Sequence, residues 1–137
     1  MKGALEILQP AHWPRAKGFS HGIATRGGRL VFVAGQVGWD RTGRFASEHL
    51  PGQVKQALEN IAAVLAAGGA RPEHVTRMVW YLTSRDEYYA RLKEIGASYR
   101  AVMGRHFPTM SVVQVVALME PQAMVEIEAT AVIPEPD

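Results

Sequence analysis

Residues 105–135, RHFPTMSVVQVVALMEPQAMVEIEATAVIPE, contain two runs with the composition of β-strands and a short proline-containing loop between them. Both runs are rich in β-branched residues, so strands are predicted at residues 110–118 and 124–133. In the second run apolar residues alternate with polar ones, which are Glu126, Glu128 and Thr130. A strand with this alternation packs one face on a core and turns the other toward water or a partner.

The clearest helix prediction lies upstream, at residues 51–70, PGQVKQALENIAAVLAAGGA. Its large apolar residues recur at helical spacing and therefore share one face. These residues are Val54, Leu58, Ile61 and Leu65. Gly68 and Gly69 predict the end of the helix, because glycine tolerates the left-handed backbone conformation that is common there.

A second helix is predicted at residues 84–104, SRDEYYARLKEIGASYRAVMG, with Ser84 as its N-cap and Glu87 completing a capping box. Its expected apolar stripe consists of Tyr88, Leu92, Ile95, Tyr99 and Val102. Gly96 lies inside this helix, where glycine costs about 1 kcal/mol relative to alanine. A glycine at such a position indicates close packing, or a place where a side chain would intrude.

Further strands complete the pattern. Residues 22–38, GIATRGGRLVFVAGQVG, predict a hairpin whose turn contains two glycines, and residues 74–84, HVTRMVWYLTS, predict another strand. Residues 5–9 could add one more short strand. The predicted order is β-β-α-β-α-β-β, an α+β fold with a mixed sheet and two helices packed on one face.

The face of the sheet opposite the helices would then expose apolar side chains. These are expected to include Val31, Val33, Val113 and Val115. Apolar surface of this kind indicates association, so a symmetric oligomer is predicted.

The 137 residues suit one domain, predicted at residues 1–137. The chain has no cysteine, which excludes disulfides and thiolate chemistry, and its net charge of +2 is too weak a field to suggest nucleic acid binding. No signal peptide and no membrane span is predicted, so a cytoplasmic protein that does not bind membranes is expected. The histidines lack metal-ligand spacing, so no metal is expected.

Several segments together resemble the Rid family, also called YjgF or L-PSP-like. They are GFSHGI, LVFVAGQVG, QVKQALENIAAVLAAGGA, VTRMVWYLT and FPTMSVVQV with MVEIEATAV. The resemblance implies a chorismate-mutase-like fold, a homotrimer, small-molecule clefts between subunits, and hydrolysis of reactive enamines and imines without a cofactor. In this chemistry the protein holds the substrate, polarises its nitrogen and positions one water.

The resemblance also implies where the cleft lies and how this chain departs from the pattern. Active members carry an arginine that binds the substrate carboxylate in a Pro-x-Arg-Ser turn; here that position is Met110, followed by Ser111. Phe19 stands where a tyrosine is common, and Gly96 aligns with an asparagine. Glu126 matches the carboxylate that can orient water. The remaining cleft residues implied are Gly35 and Gln36.

Each of these residues also has a structural interpretation. Glu126 could be a solvated strand carboxylate, Met110 a core residue, and Phe19 a packing residue. His21 and His106 flank the cleft segments, and either could replace the missing positive charge. The functional prediction is a hydrolase of small imines, enamines or related carbonyl compounds that disfavours aminoacrylate-type substrates. The alternative is a non-catalytic trimer that binds a small ligand in the same cleft; ribonuclease activity has no support in the sequence.

Overall fold

The computed structural model describes residues 5–136, so residues 1–4 and Asp137 of the predicted domain lie outside the described residues. In chain order the elements are β1 (Glu6–Leu8), β2 (Gly22–Ala24), β3 (Arg29–Val37), α1 (Leu50–Ala67), β4 (Val75–Leu82), α2 (Arg85–Ala90), α3 (Leu92–Met103), β5 (Thr109–Gln114) and β6 (Val125–Ile133). The predicted α+β class is confirmed. None of the helices formed by the described residues is both long and apolar enough to cross a lipid bilayer.

The main sheet is four-stranded and mixed, in the order β3-β6-β4-β5. β6 is antiparallel to β3 and β4, while β4 and β5 are parallel. In β6 the alternation predicted from sequence is confirmed, because the odd-numbered residues from Val125 to Ala131 are buried and Glu126, Glu128 and Thr130 are only half-buried. α1 and α3 pack on the buried face and on each other.

α1 forms as its apolar stripe predicts. Val54, Leu58, Ile61 and Leu65 are all 0% exposed. The helix ends at the predicted place, where Gly69 adopts a φ of 81°. Burial of four large apolar side chains on one stripe therefore fixes this helix against the sheet.

The second predicted helix is instead two helices, α2 and α3. The break is at Arg91, whose φ of −112° and ψ of 18° depart from helical values. Ser84 caps α2 as predicted, since its hydroxyl oxygen accepts a hydrogen bond from the Glu87 amide at 3.1 Å. The break changes which residues face the core. Ile95, Tyr99 and Met103 are buried, whereas Leu92, expected in the stripe, is exposed.

The predicted hairpin between β2 and β3 is wrong. β2 pairs with β1 in a separate two-stranded sheet, and β3 pairs with β6. Gly27 and Gly28 do adopt positive φ values of 51° and 99°, so the chain reverses there as expected without forming a ladder. The strand predicted at residues 110–118 is also shorter, since β5 ends at Gln114.

The face of the main sheet that turns away from the helices, called here the open face, carries different residues from those expected. Val33 is buried in the core and Val31 packs against it. The exposed apolar residues of β3 are their neighbours Leu30 and Phe32, which are 58% and 73% exposed. Val113 is exposed as expected. The prediction of an apolar open face therefore holds, although β3 presents the opposite set of side chains.

Candidate functional site

A cavity of about 580 Å³ lies on the helix side of the sheet, where α2 and α3 cover β4 and β5. We call it the helix-side cavity. Its lining is mainly aromatic and apolar, including Phe19, Trp80, Tyr88, Tyr99, Phe107 and Met110. Tyr99 and Phe107 stack with ring centroids 5.7 Å apart, and burial raises the pKa of the Tyr99 hydroxyl. The cavity is of a size that holds small metabolites.

Positive charge surrounds this apolar lining. Lys17, Arg85 and Arg100 all contribute to the wall, and no aspartate or glutamate is among the described residues that line it. A ligand with an apolar body and a negative charge would therefore match the helix-side cavity.

A smaller pocket of about 180 Å³ adjoins the start of β5. Ser20 places the preceding segment beside this strand. Its amide donates to the Pro108 carbonyl at 3.0 Å, and its hydroxyl donates to the Phe107 carbonyl at 2.5 Å. Phe19 and Met110 line both this pocket and the helix-side cavity, while Ser111 lines only the smaller one.

Glu126 lies on the open face, opposite Tyr81 of β4. The register of β3 against β6 shifts between Val33 and Gln36, and this irregularity brings Gly35 against the Glu126 carboxylate. A Cβ atom at position 35 would overlap the carboxylate oxygens, so only glycine leaves room for this arrangement. The Gln36 side chain donates to the Ala34 carbonyl at 3.1 Å.

A second carboxylate lies beside this one on the open face. The Tyr81 hydroxyl donates a hydrogen bond to Glu128, and this bond raises the pKa of Tyr81. Glu128 is therefore committed to a structural contact, whereas the structure shows no hydrogen bond or ion pair to Glu126 within the described residues. Glu126 is half-buried and so retains access to water.

The sequence-predicted residues thus fall into two groups. Phe19, Gly96 and Met110 line the helix-side cavity, and Ser111 adjoins it. Gly35, Gln36 and Glu126 form the second group, which lines neither pocket.

The sheet itself separates Met110 from Glu126, whereas Ser111 lies level with Glu128 on the open face, because both residues pair with Val79. Met78 of β4 pairs with Met110 of β5 on one side and with Ala129 of β6 on the other. Met110 and Ala129 therefore share the helix side of the sheet. Glu126 is three residues further along β6 and faces the opposite way. Within one copy these two side chains do not meet.

The two histidines left open by the sequence differ in their surroundings. The His106 ring nitrogen Nε2 donates to the Val75 carbonyl at 2.6 Å, and this histidine lines neither pocket. His21 lines the smaller pocket, and its Nε2 contacts the Pro14 carbonyl at 3.2 Å. His106 therefore has a structural role. Among residues 5–136, no three acidic or histidine side chains form a group that could hold a metal ion.

Sequence reasoning missed most of the cavity wall. Trp80 and Tyr99 were interpreted only as strand and helix residues, Phe107 only as part of the FPTMS segment, and Arg100 was not considered. One signal for Arg100 was available, because residues four apart on a helix lie on the same face and Gly96 precedes it by four. The cavity itself carries no periodic signal, since it forms where two helices and a sheet edge diverge.

The sequence model of the family Endoribonuclease L-PSP matches residues 11–133. The chain belongs to this family, the Rid/YjgF family. A RutC family protein from Pyrococcus horikoshii is 33% identical over 127 residues, covering 92% of this chain and 96% of the relative. A protein from Salmonella typhimurium named 2-iminobutanoate/2-iminopropanoate deaminase is 28% identical over 108 residues, or 77% and 80% of the two chains.

The fold is found among solved structures of the same family. The structure of YyfB from Yersinia pestis, a Rid family protein of unknown function, matches with a TM-score of 0.83 and 32% identity. The match covers 94% of this chain and 98% of that chain. The YjgF-like fold expected from the resemblance is therefore confirmed.

Proposed function

We propose that this Rid family protein hydrolyses imines or enamines in a site formed between copies of the chain. The helix-side cavity of one copy would hold the substrate, and the open face of a neighbouring copy would supply Glu126. The observation that carries this proposal is the placement of Glu126 against Gly35, because it leaves an unpaired carboxylate at a fixed position with access to water. The named activity of the Salmonella relative supports the reaction class.

Glu126 would act as the general base. It accepts a proton from a water molecule whose oxygen attacks the electrophilic imine carbon. Glu126 returns that proton to the nitrogen, which gives a carbinolamine. It then transfers the carbinolamine hydroxyl proton to the nitrogen as the carbon–nitrogen bond breaks, so ammonia leaves, the carbonyl product forms and Glu126 is again a carboxylate. The steps are proton transfers, one addition of water at carbon and one cleavage of the carbon–nitrogen bond, with no net oxidation or reduction, so the proposed reaction involves no cofactor.

An assembly of copies would bring the two groups together. The sheet separates Met110 from Glu126 in one copy, so a site that uses both needs a second copy. Exposed Leu30 and Phe32 provide apolar surface for such an assembly. A homotrimer is proposed because the family resemblance implies one.

The substrate would differ from that of relatives with an arginine at this position near the start of β5. Met110 offers no charge to a carboxylate, and Phe19 lacks the hydroxyl of the tyrosine common there. Weak activity on aminoacrylate-type imines is therefore expected. A substrate with a larger apolar group would suit the thioether of Met110.

A non-catalytic trimer that binds a small ligand in the same cleft is the second candidate. This candidate is favoured because Phe19 and Met110 lack the polar groups of the tyrosine and arginine common at these positions, while the cavity of about 580 Å³ is retained. Ribonuclease activity, which the family description suggests, gains no support from a net charge of only +2.

The test is an assay of ammonia release from imines that an amino acid oxidase generates in place. The panel would include imines of alanine, leucine and phenylalanine, each with and without the protein. We expect acceleration that Glu126→Ala removes and that Glu59→Ala, an exposed change on α1, leaves intact. No acceleration with any imine, together with a metabolite retained in native mass spectrometry, would favour the binding protein instead.

A further inference from the structure

We propose that Arg100 on α3 is the anion-binding residue of the helix-side cavity. In this role it would take the place of the arginine that the chain lacks at Met110. The ligand would be an imino acid or oxo acid with a carboxylate and a bulky apolar group. The proposal rests on the proposed function for its reaction class, although binding of the oxo acid can be measured without any hydrolysis.

Gly96 creates the space that the Arg100 side chain occupies. A Cβ atom at position 96 would lie 3.2 Å from the Arg100 Nη1 atom, and this is the nearest heavy atom it would meet. The guanidinium therefore folds back over the glycine, and both residues line the cavity. Two departures from the family pattern, Met110 and Gly96, thus have one explanation: the cation has moved from the strand to the helix.

Among the residues that the structure describes, no carboxylate pairs with the Arg100 guanidinium. None of the three ion pairs among residues 5–136 includes it. Arg91 at the start of the same helix behaves differently, since its guanidinium pairs with Glu87 at 3.4 Å and Glu94 at 3.3 Å. With no carboxylate among the lining residues described, a ligand anion would be the partner of Arg100.

The rest of the cavity predicts the shape of the ligand. About 580 Å³ is far more than a three-carbon imino acid needs, and aromatic rings surround most of it. Trp80 also lines the cavity, and its buried Nε1 donor has no hydrogen-bond partner within the described residues. A phenyl or branched alkyl group would fill the apolar part of the cavity.

Calorimetry with two matched ligands tests the role of Arg100. Phenylpyruvate carries the carboxylate, and phenylacetone has a methyl group in its place. For phenylpyruvate we expect Arg100→Gln to weaken binding about 10-fold or more, because a charge-assisted pair is lost. Binding of phenylacetone should not change. Lys93→Gln removes the same charge from the exposed face of α3 and should alter neither affinity.

Arg85→Gln is the stricter comparison, since Arg85 also lines the cavity. Equal losses for Arg85→Gln and Arg100→Gln would overturn the assignment, because a general positive field would then explain binding. Failure of the unsubstituted protein to bind phenylpyruvate would overturn it as well. If binding depends on Arg100 but no imine is hydrolysed, the hydrolase proposal fails while this inference stands.

Gly96→Ala is a second variant, which should lower the affinity for phenylpyruvate without lowering the melting temperature. The added methyl group crowds Nη1 of Arg100, so phenylpyruvate should bind more weakly. The same change raises helix propensity, so the melting temperature should not fall. If Gly96 had only a structural role, Gly96→Ala would leave the phenylpyruvate affinity of the folded protein unchanged, or would lower both the affinity and the melting temperature.

Discussion

The two faces of the main sheet differ in what they offer to a reaction. The helix side encloses an apolar cavity with arginine and lysine in its wall, and the described lining contains no acid. The open face presents the carboxylates Glu126 and Glu128 beside the exposed Phe32. One face could bind an anion with an apolar group, and the other could activate water.

Strand alternation explains why one copy keeps these functions apart. Neighbouring residues of a strand point to opposite faces, so Glu126 cannot share a face with the buried Ile127. The separation places the Glu126 carboxylate on the face opposite the cations that line the cavity. It also means that a complete site would require two copies, which makes assembly a condition for the proposed activity rather than an addition to it.

Mixing two inactive variants should produce the largest effect. Glu126→Gln removes the base, and Leu92→Trp fills the cavity from an exposed position on α3. In a mixed cyclic oligomer about a quarter of the interfaces would join an intact Glu126 to an intact cavity, so about a quarter of the activity should return. Each pure variant should be inactive. The measurement is ammonia release after co-refolding or subunit exchange, and an unchanged zero rate would place the whole site within one copy.

Introducing an arginine at position 110 of β5, where active family members carry one, should give the next largest effect. Met110→Arg would place a guanidinium at the start of β5, in the lining of both pockets, where it can hold a short substrate. We expect kcat/KM for the imine of alanine to rise about 10-fold to 100-fold, the value of a charge-assisted pair. Met110→Gln is the matched control, because it adds polarity without charge. A gain shared by both variants would indicate a general effect of polarity.

The same contrast between faces separates what the sequence could predict from what it could not. α1 was predictable because its stripe from Val54 to Leu65 is periodic and each side chain is buried. The alternation of β6 was predictable for the same reason. β3 was not, since LVFVA is apolar throughout and gives no sign of which side chains face the core. The register shift after Val33 adds a further irregularity.

The site was only partly predictable. The family resemblance indicated Glu126 and Met110, but their opposite orientation depends on the pairing of β4 with both β5 and β6. That pairing joins segments distant in sequence. The contact between Gly96 and Arg100 was easier to predict from the sequence, because both residues lie within one helix. Its meaning nevertheless depends on the cavity beside it, which no local pattern reveals.

A substitution at Gly35 tests the open face without changing any charge. In Gly35→Ala the added Cβ would overlap the Glu126 carboxylate and displace it. We expect kcat to fall about 10-fold, because a misplaced base loses much of its effect. Gly43→Ala is the control for a loss of stability, since Gly43 has a φ of 78° that alanine rarely adopts and a Cβ there would meet no atom within 4 Å. Unchanged kcat in folded Gly35→Ala would remove the base role from Glu126.

The smallest expected effect is a change in the pKa of Tyr81 on the open face, with no change in the pKa of Tyr99 on the helix side. Burial raises the pKa of Tyr99 on the helix side, whereas the pKa of Tyr81 on the open face is raised first by its hydrogen bond to Glu128. Glu128→Ala should therefore lower the pKa of Tyr81 toward the ordinary value of 10.0 and leave that of Tyr99 unchanged. NMR titration of tyrosines labelled at Cζ would measure both.

The sign of the accompanying pH dependence follows from these raised values. Above about pH 10 the unfolded chain loses its tyrosine protons before the folded protein does, so the free energy of unfolding falls as pH rises. Glu128→Ala should make that fall shallower, since Tyr81, one of the three tyrosines with raised pKa values, then titrates closer to its behaviour in the unfolded chain. Glu59→Ala, on the exposed side of α1, should leave the slope unchanged. If Glu128→Ala left the Tyr81 pKa raised, burial rather than the carboxylate would dominate on both faces.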